Sequence, residues 1–163
     1  MMTIFSKIVF LFMVVSTLTI GACSNVDSRN LSALSRADDF TLESLQGGNI
    51  TLSDVMKEKN VVLVFFATWC PSCVREVPSI NKFYTANKDN IAVIGIDIRQ
   101  SKAQVKAFVK EKGVLYPVVL DVDGQVADSY EVRGIPTIVA IARNGAILYQ
   151  GHSLSEMTQG IEK

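Results

Sequence analysis

The pattern of apolar and polar positions predicts strands that alternate with helices over most of the chain. The run NVVLVFFAT, residues 60–68, is apolar over a strand's length, which is typical of a central strand covered on both faces. IAVIGIDI, residues 91–98, predicts a second buried strand, and YPVVLD, residues 116–121, a short one. Helical spacing from Pro71 to about Asn87 predicts a long helix, whose apolar side comprises Val74, Val77, Ile80, Phe83 and Tyr84.

Turn residues mark two hairpins, one near each end of the predicted folded part. Apolar residues alternate around Gly47-Gly48 and predict the first hairpin; they are Phe40, Leu42, Ile50 and Leu52. TIVAIA and AILYQG, residues 137–142 and 146–151, predict the second hairpin. The Asn144-Gly145 pair between them suits a tight turn.

Capping residues predict two more helices. Ser101 and Gln104 fit a capping box at the start of a helix that ends at Gly113, with an apolar side of Val105, Phe108 and Val109. Ser153 with Glu156 predicts the start of a short final helix.

The order of these elements predicts the fold class. GQVADSYEV, residues 124–132, adds one more short helix. Strands that alternate with helices and then end in a hairpin indicate an α/β domain, with one mixed sheet flanked by helices. The chain of 163 residues is long enough for one such domain with its own core. We expect that domain to span residues 38–163.

The N-terminal segment has the pattern of an export signal. Lys7 precedes thirteen mostly apolar residues, 8–20, which are too few for a comfortable bilayer span but suit a secretory signal. The residues ending in Gly21-Ala22-Cys23 resemble the lipobox of bacterial lipoproteins, which implies cleavage after residue 22 and acylation of Cys23. Residues 23–37 would then be a polar tether.

Two other interpretations of this segment remain open. An ordinary signal peptide would leave Cys23 as a free thiol, and an uncleaved segment would anchor the chain in the membrane. All three interpretations place the domain outside the cytoplasm, where disulfide chemistry can occur. The formal net charge is zero and no basic run is present, so nothing favours a nucleic-acid partner.

Two of the three cysteines, Cys70 and Cys73, follow directly after the predicted central strand. If Cys70 caps the next helix, Pro71 takes the first helical position, where its missing N–H is no loss. The positive end of the helix dipole then favours the Cys70 thiolate and lowers its pKa below about 8.5. Cys70 is therefore the predicted exposed nucleophile, and Cys73, one turn further in and shielded, the predicted resolving thiol.

Glu76 lies three residues after Cys73 and so on the same helical face. On a buried face its carboxyl would suit a proton acceptor for Cys73, but a solvated helix glutamate fits the spacing equally well. Zinc is disfavoured because His152 is the only histidine and no second cysteine pair exists. An inert disulfide is disfavoured because so small a loop removes little unfolded-state entropy.

The segment VVLVFFATWCPSCVREVPSI, residues 61–80, resembles the active-site segment of thioredoxin-fold proteins. It is most similar to the TlpA/ResA/DsbE-like thiol–disulfide oxidoreductases of the bacterial cell envelope. Further agreement comes from DFTLESLQGGNITLSD, from VKAFVKEKGVLYPVVLD, from VRGIPT and from the terminal Asn-Gly hairpin. The resemblance covers about residues 38–155 and implies a thioredoxin fold with an N-terminal hairpin and a helix–strand insert.

The resemblance assigns roles to individual residues. Cys70 matches the nucleophile, Cys73 the resolving cysteine and Glu76 an acidic residue near the active site. Pro136, after Ile135, matches a cis-proline that faces the disulfide, with the preceding backbone holding a partner peptide. X–Pro bonds are usually trans, so the cis form is implied by the resemblance alone.

Two further positions bear on the resemblance. Trp69 matches an aromatic residue beside the nucleophile, although a part-buried packing tryptophan is an equal alternative. Val64 stands where thioredoxin has a buried aspartate, so this relay is absent and Glu76 would have to supply it.

The resemblance also implies partners. These are cysteine-containing exported proteins, for example apocytochromes c, and a membrane thiol–disulfide electron donor, with the membrane itself contacted through the lipid anchor. No cofactor or metal beyond the Cys70–Cys73 disulfide is expected, and we expect a monomer. Pro71-Ser72 places no histidine charge between the cysteines, which favours a reductant over a strong oxidant.

Two other functions are open on this fold. A thiol peroxidase would have threonine three residues before a single reactive cysteine, whereas Thr68 lies two before Cys70. A copper chaperone would need a wider cysteine spacing and a histidine at the pair, so that His152 would have to be brought there by the fold.

Overall fold

The computed structural model describes residues 36–161, with side chains to residue 159. The predicted signal peptide, the lipid site at Cys23 and nearly all of the tether lie outside these residues. Within the described range, no helix combines the length and the apolar composition needed to cross a membrane.

The described residues form strands and helices in the predicted alternation. The strands are β1 Thr41–Ser44, β2 Asn49–Thr51, β3 Asn60–Phe66, β4 Ile91–Ile98, β5 Val118–Asp121, β6 Thr137–Ile141 and β7 Ile147–Gly151. The helices are α1 Leu52–Glu58, α2 Pro71–Asn87, α3 Lys102–Lys112, α4 Gln125–Ser129 and α5 Leu154–Ile161.

The strands form one mixed sheet in the order β2-β1-β5-β4-β3-β6-β7. β3 and β4 are parallel, as are β4 and β5, whereas β6 runs antiparallel to both β3 and β7. The β1–β2 hairpin adds to the free side of β5 in antiparallel orientation. This arrangement, with helices on both faces, confirms the predicted thioredoxin-like α/β fold with its N-terminal hairpin.

The central strand β3 separates two apolar clusters, because successive side chains of a strand point to opposite faces. Val62, Val64 and Phe66 pack on one face with buried residues of α2, α3 and α5. Val61, Leu63 and Phe65 pack on the other face with α1 and α4. Burial on both faces explains why this strand is a continuous apolar run rather than an alternating one.

Local capping signals are confirmed for α3. The Ser101 hydroxyl accepts the N–H of Gln104, and the Gln104 side chain accepts the N–H of Ser101. Gly113 ends the helix at φ 65°, a left-handed conformation that glycine adopts without a Cβ penalty. At α5 the Ser153 hydroxyl accepts the N–H of Ser155, the second helical residue, at 3.2 Å, as a capping residue does. The Glu156 carboxylate accepts from the Tyr149 hydroxyl at 3.1 Å.

Helix α1 was not predicted from the sequence, where Leu52 was assigned to a hairpin strand. Leu52 is instead the first helical residue, and its N-cap Thr51 makes no side-chain capping bond. The capping acceptor comes from outside the segment: the Asp39 carboxylate accepts the N–H of Ser53 at 2.8 Å and that of Phe40 at 3.0 Å. Burial opposes ionisation of Asp39, but these hydrogen bonds lower the pKa of its carboxyl overall.

We predict that Asp39→Ala lowers the free energy of unfolding by about 1 kcal/mol, the usual cost of a lost helix cap. Urea unfolding would measure the loss, and Asp39→Asn, which keeps an acceptor oxygen, should recover most of it. Asp38→Ala is the matched control, because residue 38 contributes its backbone carbonyl to the Tyr130 hydroxyl. Equal losses for the variants at positions 38 and 39 would contradict the capping role.

Candidate redox site

A disulfide joins Cys70 and Cys73 at the start of α2, with their Cα atoms 5.3 Å apart. Cys70 is the N-cap of this helix in extended backbone conformation, and Pro71 follows at the first helical position, as predicted. The Cys70 sulfur accepts the backbone N–H of Cys73 at 3.1 Å. The sulfur therefore serves as the capping acceptor and lies at the positive end of the helix dipole.

Both cysteines are buried in this oxidised state. Cys70 is 3% exposed and Cys73 is 4% exposed, so the predicted exposure of Cys70 is not observed while the disulfide is intact. The two sulfurs differ instead in position, because Cys70 caps the helix whereas Cys73 lies within its first turn. Both residues belong to the apolar cluster that includes Phe66 and Val77.

The loop before β6 lies against the Cys70 sulfur. The Ile135–Pro136 peptide bond is cis, in agreement with the resemblance. The Ile135 carbonyl oxygen is 3.6 Å from Cys70 Sγ. The Ser72 hydroxyl lies 3.2 Å from the same sulfur and 3.4 Å from the Ile135 oxygen. Because a disulfide sulfur carries no proton, the Ser72 hydroxyl is the available donor to the sulfur.

Two hydrogen bonds hold this loop in place. The Thr137 hydroxyl donates to the Gly134 carbonyl at 2.6 Å. His152, just after β7, places Nδ1 2.8 Å from the Pro136 carbonyl oxygen. A carbonyl oxygen only accepts, so Nδ1 must carry the proton in this hydrogen bond. The fold thus brings the only histidine of the sequence to the loop that contains Pro136, where the imidazole contacts a backbone carbonyl oxygen.

The remaining predicted residues surround the helix start. The Trp69 side chain is 70% exposed, which contradicts the packing alternative and leaves an open apolar surface beside Cys70. Glu76 lies on α2 one turn after Cys73 and is half-buried. In the described part of the chain, no group of three or more His, Cys, Asp or Glu side chains is placed to hold a metal ion.

One acidic residue near the site was missed in the sequence. Asp97 on β4 is 1% exposed, and both of its carboxylate oxygens lack a hydrogen-bond partner among the described residues. Burial, with a smaller contribution from the Asp121 charge, raises the pKa of Asp97 to about 7. The signal was available, since Asp97 is the only charged residue within IAVIGIDI.

Comparisons with known proteins agree with the fold and the position of the cysteine pair. A family model described as the AhpC/TSA family matches residues 34–150, which is more than half of the chain. The chain belongs to the AhpC/TSA family.

Relatives of this AhpC/TSA-family chain include two thiol-disulfide oxidoreductases named ResA. The protein of Bacillus subtilis (strain 168) is 38% identical over 120 residues, which cover 73% of this chain and 66% of that protein. The protein of Bacillus thuringiensis (strain Al Hakam) is 31% identical over 140 residues, which cover 84% and 80% of the two chains. The match thus spans just under two thirds of the first relative and four fifths of the second.

A solved structure shows the same architecture. It belongs to a Chlorobium tepidum protein described as a DsbE-type thiol:disulfide interchange protein. The TM-score is 0.71 at 28% sequence identity, and the alignment covers 78% of this chain and 94% of the other.

The buried Asp97 carboxyl predicts how the stability of this AhpC/TSA-family chain depends on pH. The folded state holds this proton up to a pKa of about 7, whereas the unfolded chain releases it near 3.8. Stability therefore falls as pH rises from about 4 to about 7, by about 4 kcal/mol in total, and is level above that range. Asp97→Asn should remove most of this slope and be more stable than the wild-type protein at pH 8.

Urea unfolding of the oxidised protein at pH 5 and pH 8 would measure this difference. The asparagine side chain has the same shape but no ionisation, so other pH-dependent groups are unchanged between the two proteins. Parallel pH profiles for the wild-type and Asp97→Asn proteins would show that the carboxyl titrates normally.

Proposed function

We propose that this protein is a cell-envelope thiol–disulfide oxidoreductase that reduces disulfides of exported proteins through Cys70 and Cys73. The observation that carries the proposal is the placement of the disulfide between the start of α2 and the Ile135–Pro136 backbone. A relation to proteins named thiol-disulfide oxidoreductases supports it.

In the reduced protein, Cys70 is the attacking thiolate. The N–H of Cys73 already points at its sulfur, and the Ser72 hydroxyl is within reach to donate a second hydrogen bond. Both donors stabilise a negative charge on Cys70. The thiolate attacks one sulfur of a client disulfide, forms a mixed disulfide and releases the other client sulfur as a thiolate.

The second step regenerates the protein disulfide. The Cys73 sulfur attacks Cys70, the mixed disulfide breaks, and the client leaves with both sulfurs reduced. Cys73 must lose its proton first, and Glu76 is a candidate acceptor because it lies one turn further along the same helix. A dithiol donor then returns two electrons to the Cys70–Cys73 disulfide.

The surface around the pair suits a peptide client. The exposed indole of Trp69 offers an apolar contact, and the Ile135 carbonyl next to the sulfur can accept a backbone N–H of an extended segment. Reduction is the favoured direction because no histidine lies between the cysteines to stabilise a strongly oxidising site.

The location and partners follow from the N-terminal sequence and the family resemblance. We propose acylation at Cys23, a domain held outside the cytoplasmic membrane, and electrons supplied by a membrane thiol–disulfide carrier. Clients would be exported proteins with paired cysteines, of which apocytochromes c are one class.

Trapping tests the exchange reaction directly. In Cys73→Ser the resolving thiol is missing, so mixed disulfides at Cys70 should accumulate in cells and be released by dithiothreitol. Non-reducing electrophoresis followed by mass spectrometry of the captured proteins would identify the clients. The double variant with Cys70→Ser is the control and should capture nothing.

The proposal is contradicted if Cys73→Ser captures no protein, or if the wild-type protein consumes peroxide faster than it reduces protein disulfides. A reduction potential as high as that of the strong oxidants would overturn the direction alone.

The hydrogen bond from His152 predicts a selective effect on client binding. His152→Ala should release the Pro136 carbonyl and loosen the client-binding loop, which raises KM for a protein disulfide roughly fivefold, as expected for about 1 kcal/mol. The rate with a small aromatic disulfide should be unchanged, because that substrate does not use the loop. His152→Asn can still donate to the carbonyl and should restore part of the affinity, whereas equal losses on both substrates would contradict this role.

A further inference from the structure

The C-terminal ends of β3 and β4 meet at the redox pair. Phe66, the last residue of β3, is the register partner of Asp97 on β4, and Cys70 follows four residues after Phe66. The loops beyond the two strands are also joined. Gln100 accepts the N–H of Thr68 at 2.6 Å and donates to its hydroxyl at 2.8 Å.

Asp97 lies on the sheet face that carries the disulfide. Register pairs of parallel strands share a face, and Phe66 lies in the apolar cluster with Cys70 and Cys73. Two residues earlier on β4, a Cβ added at Gly95 would lie 3.2 Å from the Phe66 ring. The Asp97 carboxyl is therefore buried on the same sheet face as the two sulfurs, in a water-poor region where charges interact more strongly than in solvent.

Asp121 on β5 adds only a smaller charge effect on Asp97, from across the sheet. Its register partner on β4 is Ile98, so its side chain points to the opposite face, where the carboxylate accepts the N–H groups of Val126 and Ala127. The β5 partner of Asp97 itself is Leu120. Tyr116, which precedes β5, is buried and its pKa is raised by that burial. The buried residues on this face are the two cysteines, Val77 and Ile80 from the start of α2, and Val105 and Phe108 from α3. Glu76 is half-buried on α2.

We propose that Asp97 stores a proton that moves with the electrons of the Cys70–Cys73 pair. This inference rests on the proposed exchange function and assigns part of its proton balance to one residue. A dithiol donor that reduces the disulfide loses two electrons and two protons. If the reduced pair holds one thiolate, at Cys70, and one thiol, at Cys73, it keeps only one of those protons. The other passes to the Asp97 carboxylate, which becomes neutral.

The same balance holds in the forward reaction. When the pair reduces a client disulfide, two electrons and the Cys73 proton leave the pair, and Asp97 gives up the second proton. The client departs as a dithiol, and Asp97 is again a carboxylate. The new thiolate at Cys70 favours a neutral Asp97 by repulsion between like charges, and by linkage a neutral Asp97 favours the thiolate.

Proton release during reduction by dithiothreitol tests the proposal with no client present. In weakly buffered solution at pH 8, a carboxyl with a pKa of about 7 is mostly ionised in the oxidised protein. The full wild-type chain should there release fewer protons to the solvent per disulfide reduced than Asp97→Asn, with a difference approaching one. Equal proton release by the two proteins would overturn the inference.

A measurement on the wild-type protein avoids dependence on a variant's folding. The infrared difference spectrum between reduced and oxidised protein should gain a protonated carboxyl band on reduction, and its absence would overturn the inference. Glu76→Gln is the matched control and should release as few protons as the wild-type protein. If Glu76→Gln releases the extra proton and Asp97→Asn does not, Glu76 is the store. Because dithiothreitol replaces the biological partners, failure to trap a client leaves this result unaffected.

Discussion

The sulfur of Cys70 caps α2, and the rest of the site is arranged around that hydrogen bond. A capping acceptor must lie where the free N–H groups of the first turn converge, which is also where a negative charge is stabilised. The residue that begins the helix is thus the residue best placed to react. Proline at the next position keeps the helix start rigid without losing a hydrogen bond, and the second cysteine falls one turn along, within reach of the first.

The sheet beneath this helix is apolar on both faces, so any polar group buried in it is costly unless it is hydrogen-bonded. β3 is buried along six of its seven residues and holds the helix start through the short turn that follows it. Into this layer β4 places a single carboxyl that has no hydrogen-bond partner among the described residues. Because ionisation is costly in this layer, the pKa of Asp97 rises to about 7, and its side chain lies on the same sheet face as a cysteine pair whose chemistry moves protons.

Elements with local signals were predicted well from the sequence. The bounds of α2, the capping box of α3 and the central position of β3 follow from spacing, caps and continuous apolar character within each segment. Helix α1 was missed because its capping carboxylate, Asp39, lies 14 residues away from the N–H it accepts. Asp97 is marked in the sequence as the one charged residue of an apolar strand, but strand periodicity does not show that the face it lies on is the face of the cysteine pair.

The position of Cys70 and Cys73 at the start of a helix after a buried strand follows from local residue patterns, because caps, proline and periodicity act over a few residues. The contact of the Ile135 carbonyl with the Cys70 sulfur, 65 positions away in the chain, and the bond between His152 and the Pro136 carbonyl follow only from the folded chain. Those contacts depend on the pairing of β6 with β3 and β7. Strand pairing joins distant segments through backbone hydrogen bonds that every residue type except proline can make. The residue types in a strand therefore give little indication of which other strand it pairs with.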